Sequence, residues 1–256
     1  MSTKTAKKKA VVPKAAAISA SEKRRKADGC NLDSSFRLKE IKALTDAQGE
    51  VMAAYDSGFN LFLYGVAGTG KSFLSLYLGL KDLIDGKNGY YKICIVRSAV
   101  PSRDLGFLPG TPEEKIAVYE EPYIKMVNQL FGRGDAWETC KKKGAIQFVS
   151  TSFLRGTTYD NCVIIFDETQ NCRFEELDTL TTRAGKNFRL IICGDLEQND
   201  LIRSKNDSTG LPFYTEVIRE MSEDFKFIQF NVEDIVRSGF VKRYIMKKHE
   251  IAHRNA

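Results

Sequence analysis

The chain has 256 residues, a net charge of +6 and 43% hydrophobic residues, enough for one sizeable α/β domain plus a tail. No uncharged apolar run reaches about 18 residues, so no membrane-spanning helix is expected. Six cysteines (30, 94, 140, 162, 172, 193) without C-x-x-C spacing argue against a disulfide framework.

Several of those cysteines sit in apolar runs and read as buried, reduced thiols, which points to the cytoplasm. The charge is unevenly placed. Residues 1–29 hold nine basic and two acidic side chains, and residues 237–256 hold six basic and one acidic. The stretch between them is therefore acidic, at −6. Residues 1–30 are rich in Lys, Ala and Ser, and their apolar stretch is too short for a secretory signal. They are expected to be a basic disordered tail, serving as a nucleic-acid arm or as a solvated extension. Residues 31–256 are expected to form one domain ending in a basic helix, with no internal repeats.

The predicted elements follow in chain order. "LTDAQGEVMAAYDSG" (44–58) carries Gln48, whose amide has donors and an acceptor suited to the edge of adenine. "FNLFLYG" (59–65) is a strand. It runs into "GVAGTGKS", comprising Gly65, Val66, Ala67, Gly68, Thr69, Gly70, Lys71 and Ser72. This is the G-x-x-x-x-G-K-[ST] phosphate loop. Its glycines let backbone N–H groups turn toward a phosphate. Lys71 is placed to reach the β- and γ-phosphates, and the Ser72 hydroxyl to ligate Mg²⁺. The helix "KSFLSLYLGLKDLIDG" follows, stops at Gly86, and adds its positive N-terminal end.

"YYKICIVRS" (90–98) is the next strand, then a loop rich in Pro and Gly. A helix is expected over 112–132, with Pro122 as a kink or boundary. "AIQFVS" (145–150), "CVIIFDE" (162–168), "FRLIICGD" (188–195) and "FKFIQF" (225–230) are strands, and "CRFEELDTLTTRAG" (172–185) is a helix ending near Gly185. The alternation predicts a mostly parallel sheet with helices on both faces. Asp167 and Glu168 fall at a strand end, Asp167 suited to holding Mg²⁺ through water and Glu168 to activating an attacking water. Gln198, after another strand, is placed to sense a γ-phosphate. Arg237, in "VEDIVRSGF", is placed to offset charge developing on it.

These residues carry a resemblance. The stretches "GVAGTGKS", "VRSAVPSRDLGFLPGTPEEK", "SFLRGTTYDNCVIIFDETQN", "LTTRAGKNFRLIICGDLEQNDL" and "VEDIVRSGFV", with "EPY" between them, are similar to the PhoH family. Members of that family are P-loop ATPases related to the core of superfamily 1 helicases. The resemblance spans about residues 45 to 240 and implies a RecA-like fold with ATP and Mg²⁺ as ligands. It implies phosphate and metal roles for Lys71, Ser72 and Asp167, and hydrolysis through Glu168. Gln198 becomes the sensor, Gln48 an adenine contact, and Arg237 an arginine finger in cis or from a neighbour in a ring. Arg97, Arg103 and Arg155 become nucleic-acid or phosphate contacts. The chain departs at Thr169, where the family usually has Ala. No nuclease domain like that fused to some relatives is expected in its 256 residues, which have room for one RecA-like unit where a full helicase has two. Small stand-alone members are common in bacterial viruses, so a bacteriophage source, acting in host cytoplasm, is expected.

Near the C-terminus "HEIAH" (249–253) fits the H-E-x-x-H zinc-hydrolase signature, through His249, Glu250 and His253. A catalytic zinc needs a third protein ligand. The chain has no other histidine, and only three residues follow His253. Solvent-facing histidines on a basic helix are the better reading. The leading expectation is an ATPase coupled to RNA or single-stranded DNA, and the alternative is an ATP-dependent switch acting on a protein.

Overall fold

A computed structural model describes residues 32, 36–98, 112–154, 156–195 and 210–254, with backbone alone at 112–115, 252 and 253. Among these residues the strands are β1 (Asn60–Gly65), β2 (Lys92–Arg97), β3 (Ile146–Ser150), β4 (Cys162–Asp167), β5 (Phe188–Gly194) and β6 (Phe225–Phe230). The helices are α1 (Asp46–Asp56), α2 (Lys71–Asp85), α3 (Pro112–Phe131), α4 (Ala136–Lys142), α5 (Phe174–Thr181), α6 (Leu211–Glu220) and α7 (Gly239–Arg254).

The six strands form one sheet in the order β3-β2-β4-β5-β1-β6. Every pairing in it is parallel. Parallel strands need crossovers, and the crossovers cover both faces, which is why β4 reads as an unbroken apolar run buried along its whole length. Side chains alternate between the faces with period 2. Leu61, Leu63, Ile93, Ile95, Val163, Ile165 and Ile191 pack with α1 to α4. Phe62, Cys94, Val96, Ile164, Phe166 and Ile192 pack with α5 and α6. The five cysteines among the described residues are buried, and none of them forms a disulfide there.

Two boundaries differ from the predicted ones. Pro122 does not end α3, which runs through it to Phe131. Its missing N–H would have served the carbonyl of Val118, a residue 48% exposed, where water can take that place. The helix after β4 stops at Thr181, with Thr182 as its cap. Gly185 has another role: a Cβ there would sit 2.1 Å from Asp160 Oδ1. Three helices, α1, α4 and α6, were not predicted.

Gly65 ends β1 with φ of +113°. A Cβ on it would lie 2.1 Å from the carbonyl oxygen of Phe230 on β6. Conformation and space both demand glycine. Gly65→Ala is expected to cost about 3–5 kcal/mol, the range of severe backbone and packing defects, read from the urea midpoint. A loss below about 1 kcal/mol would show that the end of β1 can move away from β6.

Candidate active site

The carboxyl ends of β1, β4 and β5 converge on a cavity of about 960 Å³. In open parallel sheets ligands bind at this end of the strands. β5 lies between β1 and β4, so the phosphate loop and the strand-end acids face each other across the end of β5.

The loop is shaped by its glycines: Gly68 has φ of +81° and Gly70 of +89°. Lys71 Nζ donates to the carbonyl oxygens of Gly65 at 2.7 Å and Val66 at 2.9 Å. An ammonium has three donors, so one remains for a ligand. Burial pushes Lys71 below the usual lysine range, while Asp195, Asp167 and Glu168 pull the other way. Thr69 Oγ1 donates to Val66 O at 3.1 Å and closes the loop. Ala67 to Ser72 all line the cavity.

Gln48 also lines the cavity, and its amide is engaged on both sides. Nε2 donates to Thr69 O at 2.9 Å, and Oε1 accepts from Leu44 N at 2.9 Å. It ties the segment before α1 to the phosphate loop. α1 presents it from its first turn, capped by Thr45 Oγ1, which accepts from Gln48 N at 3.4 Å.

Asp167, at the end of β4, is only 5% exposed. Its Oδ2 accepts from Tyr123 Oη at 2.7 Å, and its Oδ1 from Glu168 N at 3.1 Å. Tyr123 comes from α3, and burial together with the Asp167 charge drives its phenol far above the usual range. It therefore stays a donor. Tyr123→Phe strands a buried carboxylate oxygen and is expected to cost about 1–3 kcal/mol in urea unfolding. An unchanged midpoint would mean that water replaces the phenol.

Glu168 sits in the left-handed region with φ of +54°, a costly conformation for a non-glycine residue and one that clusters at functional sites. Gln170 Nε2 donates to Glu168 Oε2 at 2.5 Å, and Gln170 Oε1 accepts from Asp195 N at 3.0 Å. One amide thus fixes the acid after β4 to the end of β5. Burial and then the Asp167 charge raise Glu168 above the ordinary carboxylate value, against the pull of Arg97. Arg97 ends β2 in register with Asp167. It lines the same cavity with its guanidinium 5.4 Å from the Tyr119 ring centre. Burial opposes its charge, but Tyr123, Glu168 and Asp167 together hold its pKa above the ordinary value.

Arg237 lines the cavity from its own chain. Its stem packs on the loop, since a Cβ on Gly68 would meet its Cγ at 3.0 Å. Val236 N donates to Gly68 O at 3.1 Å. Thr169, the departure noted in the sequence, donates through Oγ1 to Cys193 O at 3.0 Å. It fits because residue 194 is glycine: a Cβ there would lie 2.5 Å from Thr169 Oγ1.

Of the sequence-predicted residues, Gly65 to Ser72, Gln48, Arg97, Asp167, Glu168 and Arg237 come together around this cavity. Gln198, Arg103 and Arg155 lie outside the described residues, as does the tail over 1–30. Tyr123 and Gln170 carried no predicted role, although "EPY" and "DETQN" contain them. On α7, Glu250 pairs with Lys247 Nζ at 2.7 Å. His253's side chain lies outside the described residues. Among the described residues no group of three or more His, Cys, Asp or Glu side chains is placed to hold a metal, and no helix is long and apolar enough to cross a membrane.

A phosphate loop between β1 and α2, facing a strand-end acid pair in a parallel sheet with helices on both faces, defines a P-loop nucleotide-binding protein with a RecA-like fold. Residues 40–248 match the family described as PhoH-like protein, and the chain belongs to it. It is 32% identical over 209 residues to a PhoH-like protein of Bacillus subtilis, covering 81% of this chain and 63% of that one. It is 32% identical over 206 residues to Protein PhoH of Escherichia coli K12, covering 79% and 56%. The chain thus spans less than two thirds of the length of these relatives. Similar solved structures include the Pif1 helicase of Candida albicans, at 18% identity and a TM-score of 0.35 over 75% of this chain and 40% of that one. The Sulfolobus solfataricus SWI2/SNF2 ATPase core solved with dsDNA is similar at 12% identity and a TM-score of 0.44, over 77% and 46%.

Proposed function

We propose that this protein hydrolyses ATP and couples the hydrolysis to binding and remodelling of RNA or single-stranded DNA. The observation that carries the reading is the convergence of Lys71, Asp167 and a raised-pKa Glu168 on one cavity.

In this reading the backbone N–H groups of the loop and Lys71 hold the phosphates, and Arg97 and Arg237 offset the charge that grows on the γ-phosphoryl group. Ser72 and Asp167, which both line the cavity, are the residues that would hold Mg²⁺. The ion would neutralise phosphate charge. Asp167 suits a water-mediated contact, because each of its oxygens already accepts one hydrogen bond and keeps a lone pair. Glu168 takes a proton from a water that attacks the γ-phosphorus, while the bond to the ADP oxygen breaks. Its raised pKa makes it a stronger base than an ordinary carboxylate. Gln170 holds it in place, and β5 carries the same amide's other end, so a displacement of β5 would reach Glu168 through one side chain.

The coupling to nucleic acid draws support from family membership and from the two basic ends of the chain. The test is steady-state ATP hydrolysis with and without single-stranded RNA and DNA. Stimulation by either strand is the expected result, falling as salt rises because phosphate contacts release counterions. Turnover indifferent to both strands at low salt would overturn the coupling and favour a protein target.

A further inference from the structure

The helix α7 is unlike the other helices of the fold. Among its described side chains none is fully buried, and it belongs to neither hydrophobic cluster. It touches the molecule through a polar and aliphatic face. Lys242 Nζ donates to Glu233 O at 2.8 Å, and a Cβ on Gly68 would meet Ile245 Cδ1 at 3.7 Å. The helix therefore lies directly against the phosphate loop.

Its other face carries the unusual chemistry. Phe240 is 73% exposed, Tyr244 64% and Ile251 56%. At about 100° per residue, Phe240, Tyr244, Lys247 and Ile251 fall in one stripe about 60° wide, with the two rings about 6 Å apart along the axis. Exposed cations flank the stripe, with Arg243 and Arg254 on one side and Lys248 on the other. From Gly239 to Arg254 there are five basic residues and one acid, Glu250.

We propose that the outer face of α7 is a docking surface for single-stranded nucleic acid, with Phe240 and Tyr244 as stacking platforms and Arg243, Lys247 and Lys248 as phosphate contacts. The proposal rests on the nucleic-acid reading above and says where the strand sits. Aromatic rings between cations match unpaired bases on a polyanionic backbone, because every base has a face to stack. A paired strand would offer the rings nothing. A second copy docking α7 on α7 would set like charges against each other. A membrane surface calls for a broad apolar face, and this stripe is narrow. A strand on this face would be separated from Gly68 by the width of one helix, about 10 Å, with Ile245 on the loop side of that helix.

The test uses the full chain and fluorescein-labelled single strands of RNA and DNA in anisotropy titrations at several salt concentrations. Phe240→Ala with Tyr244→Ala is expected to weaken binding about 10- to 100-fold. Lys247→Gln with Lys248→Gln is expected to flatten the slope of log affinity against log salt by about 1.4. None of these side chains lines the nucleotide cavity, so ATP turnover without nucleic acid should stay at the wild-type rate, and the unfolding midpoint should not move. If wild type binds and both variants match it in affinity and slope, the α7 surface is wrong while the coupling reading stands. If wild type binds neither strand at low salt, both fall. Loss by the variants of self-association or of binding to anionic vesicles, with strand affinity intact, would assign the face to that partner and overturn the proposal.

Discussion

Lys71→Ala is expected to lower ATP turnover by about 100- to 1,000-fold, the effect of removing one preorganised charge from a developing transition state. Its fold should survive. The ammonium gives two hydrogen bonds to loop carbonyls, but burial penalises its charge, which is why its pKa is lowered. The two effects oppose each other, so the unfolding midpoint at pH 7 should shift by no more than about 1 kcal/mol. The pH dependence separates the two chains. With the folded pKa below the unfolded value of 10.5, the unfolded state binds more protons between them, and wild-type stability gains from this residue as pH rises through that window. Lys71→Ala should lack that gain. Turnover within threefold of wild type would remove Lys71 from the phosphate site.

Glu168→Gln is expected to lower turnover by about 100- to 10,000-fold, the contribution of a general base, while leaving ATP affinity intact. The amide keeps Gln170 as a neighbour and keeps the volume. Because the folded pKa of Glu168 is raised above 4.5, the protonated form is favoured in the fold. Its contribution to stability is fully present below 4.5 and is lost as pH rises through the folded value. The variant should therefore be more stable than wild type at pH 7, and the advantage should vanish in acid. Thermal melts at pH 4 and pH 7, with single-turnover hydrolysis, check both halves. Unchanged turnover would move the base elsewhere. An equal melting difference at both pH values would show that Glu168 is not held against its charge.

The two residues illustrate the same trade. Lys71 and Glu168 are both partly buried at a cost to their ionised forms, and both costs arise where β1, β4 and β5 end together at one cavity. Such displaced pKa values cluster where chemistry is done. Tyr123 and Gln170 make the arrangement tolerable by donating hydrogen bonds to the two acids.

The local code was legible where a rule depends on consecutive residues. The phosphate loop, the apolar strands and the acid pair each follow from spacing or hydropathy within about ten residues. Their order also implied a parallel sheet, because strands alternating with helices need crossovers. The short helices α1, α4 and α6 escaped since 7 to 11 residues give a weak periodic signal, and tertiary packing stabilises such lengths more than propensity does. The strand order escaped too: nothing in "FRLIICGD" says that β5 slots between β1 and β4. Only that insertion brings Gln170 from beside one strand to the backbone of the next, and only α3's path over the sheet brings Tyr123 to Asp167, 44 positions away. By itself the sequence determined which chemical groups exist and which backbone turn can bear a phosphate. Their distances, their burial and the resulting shifts in acidity belong to the tertiary structure. They depend on contacts between residues far apart in the chain, which no local pattern encodes.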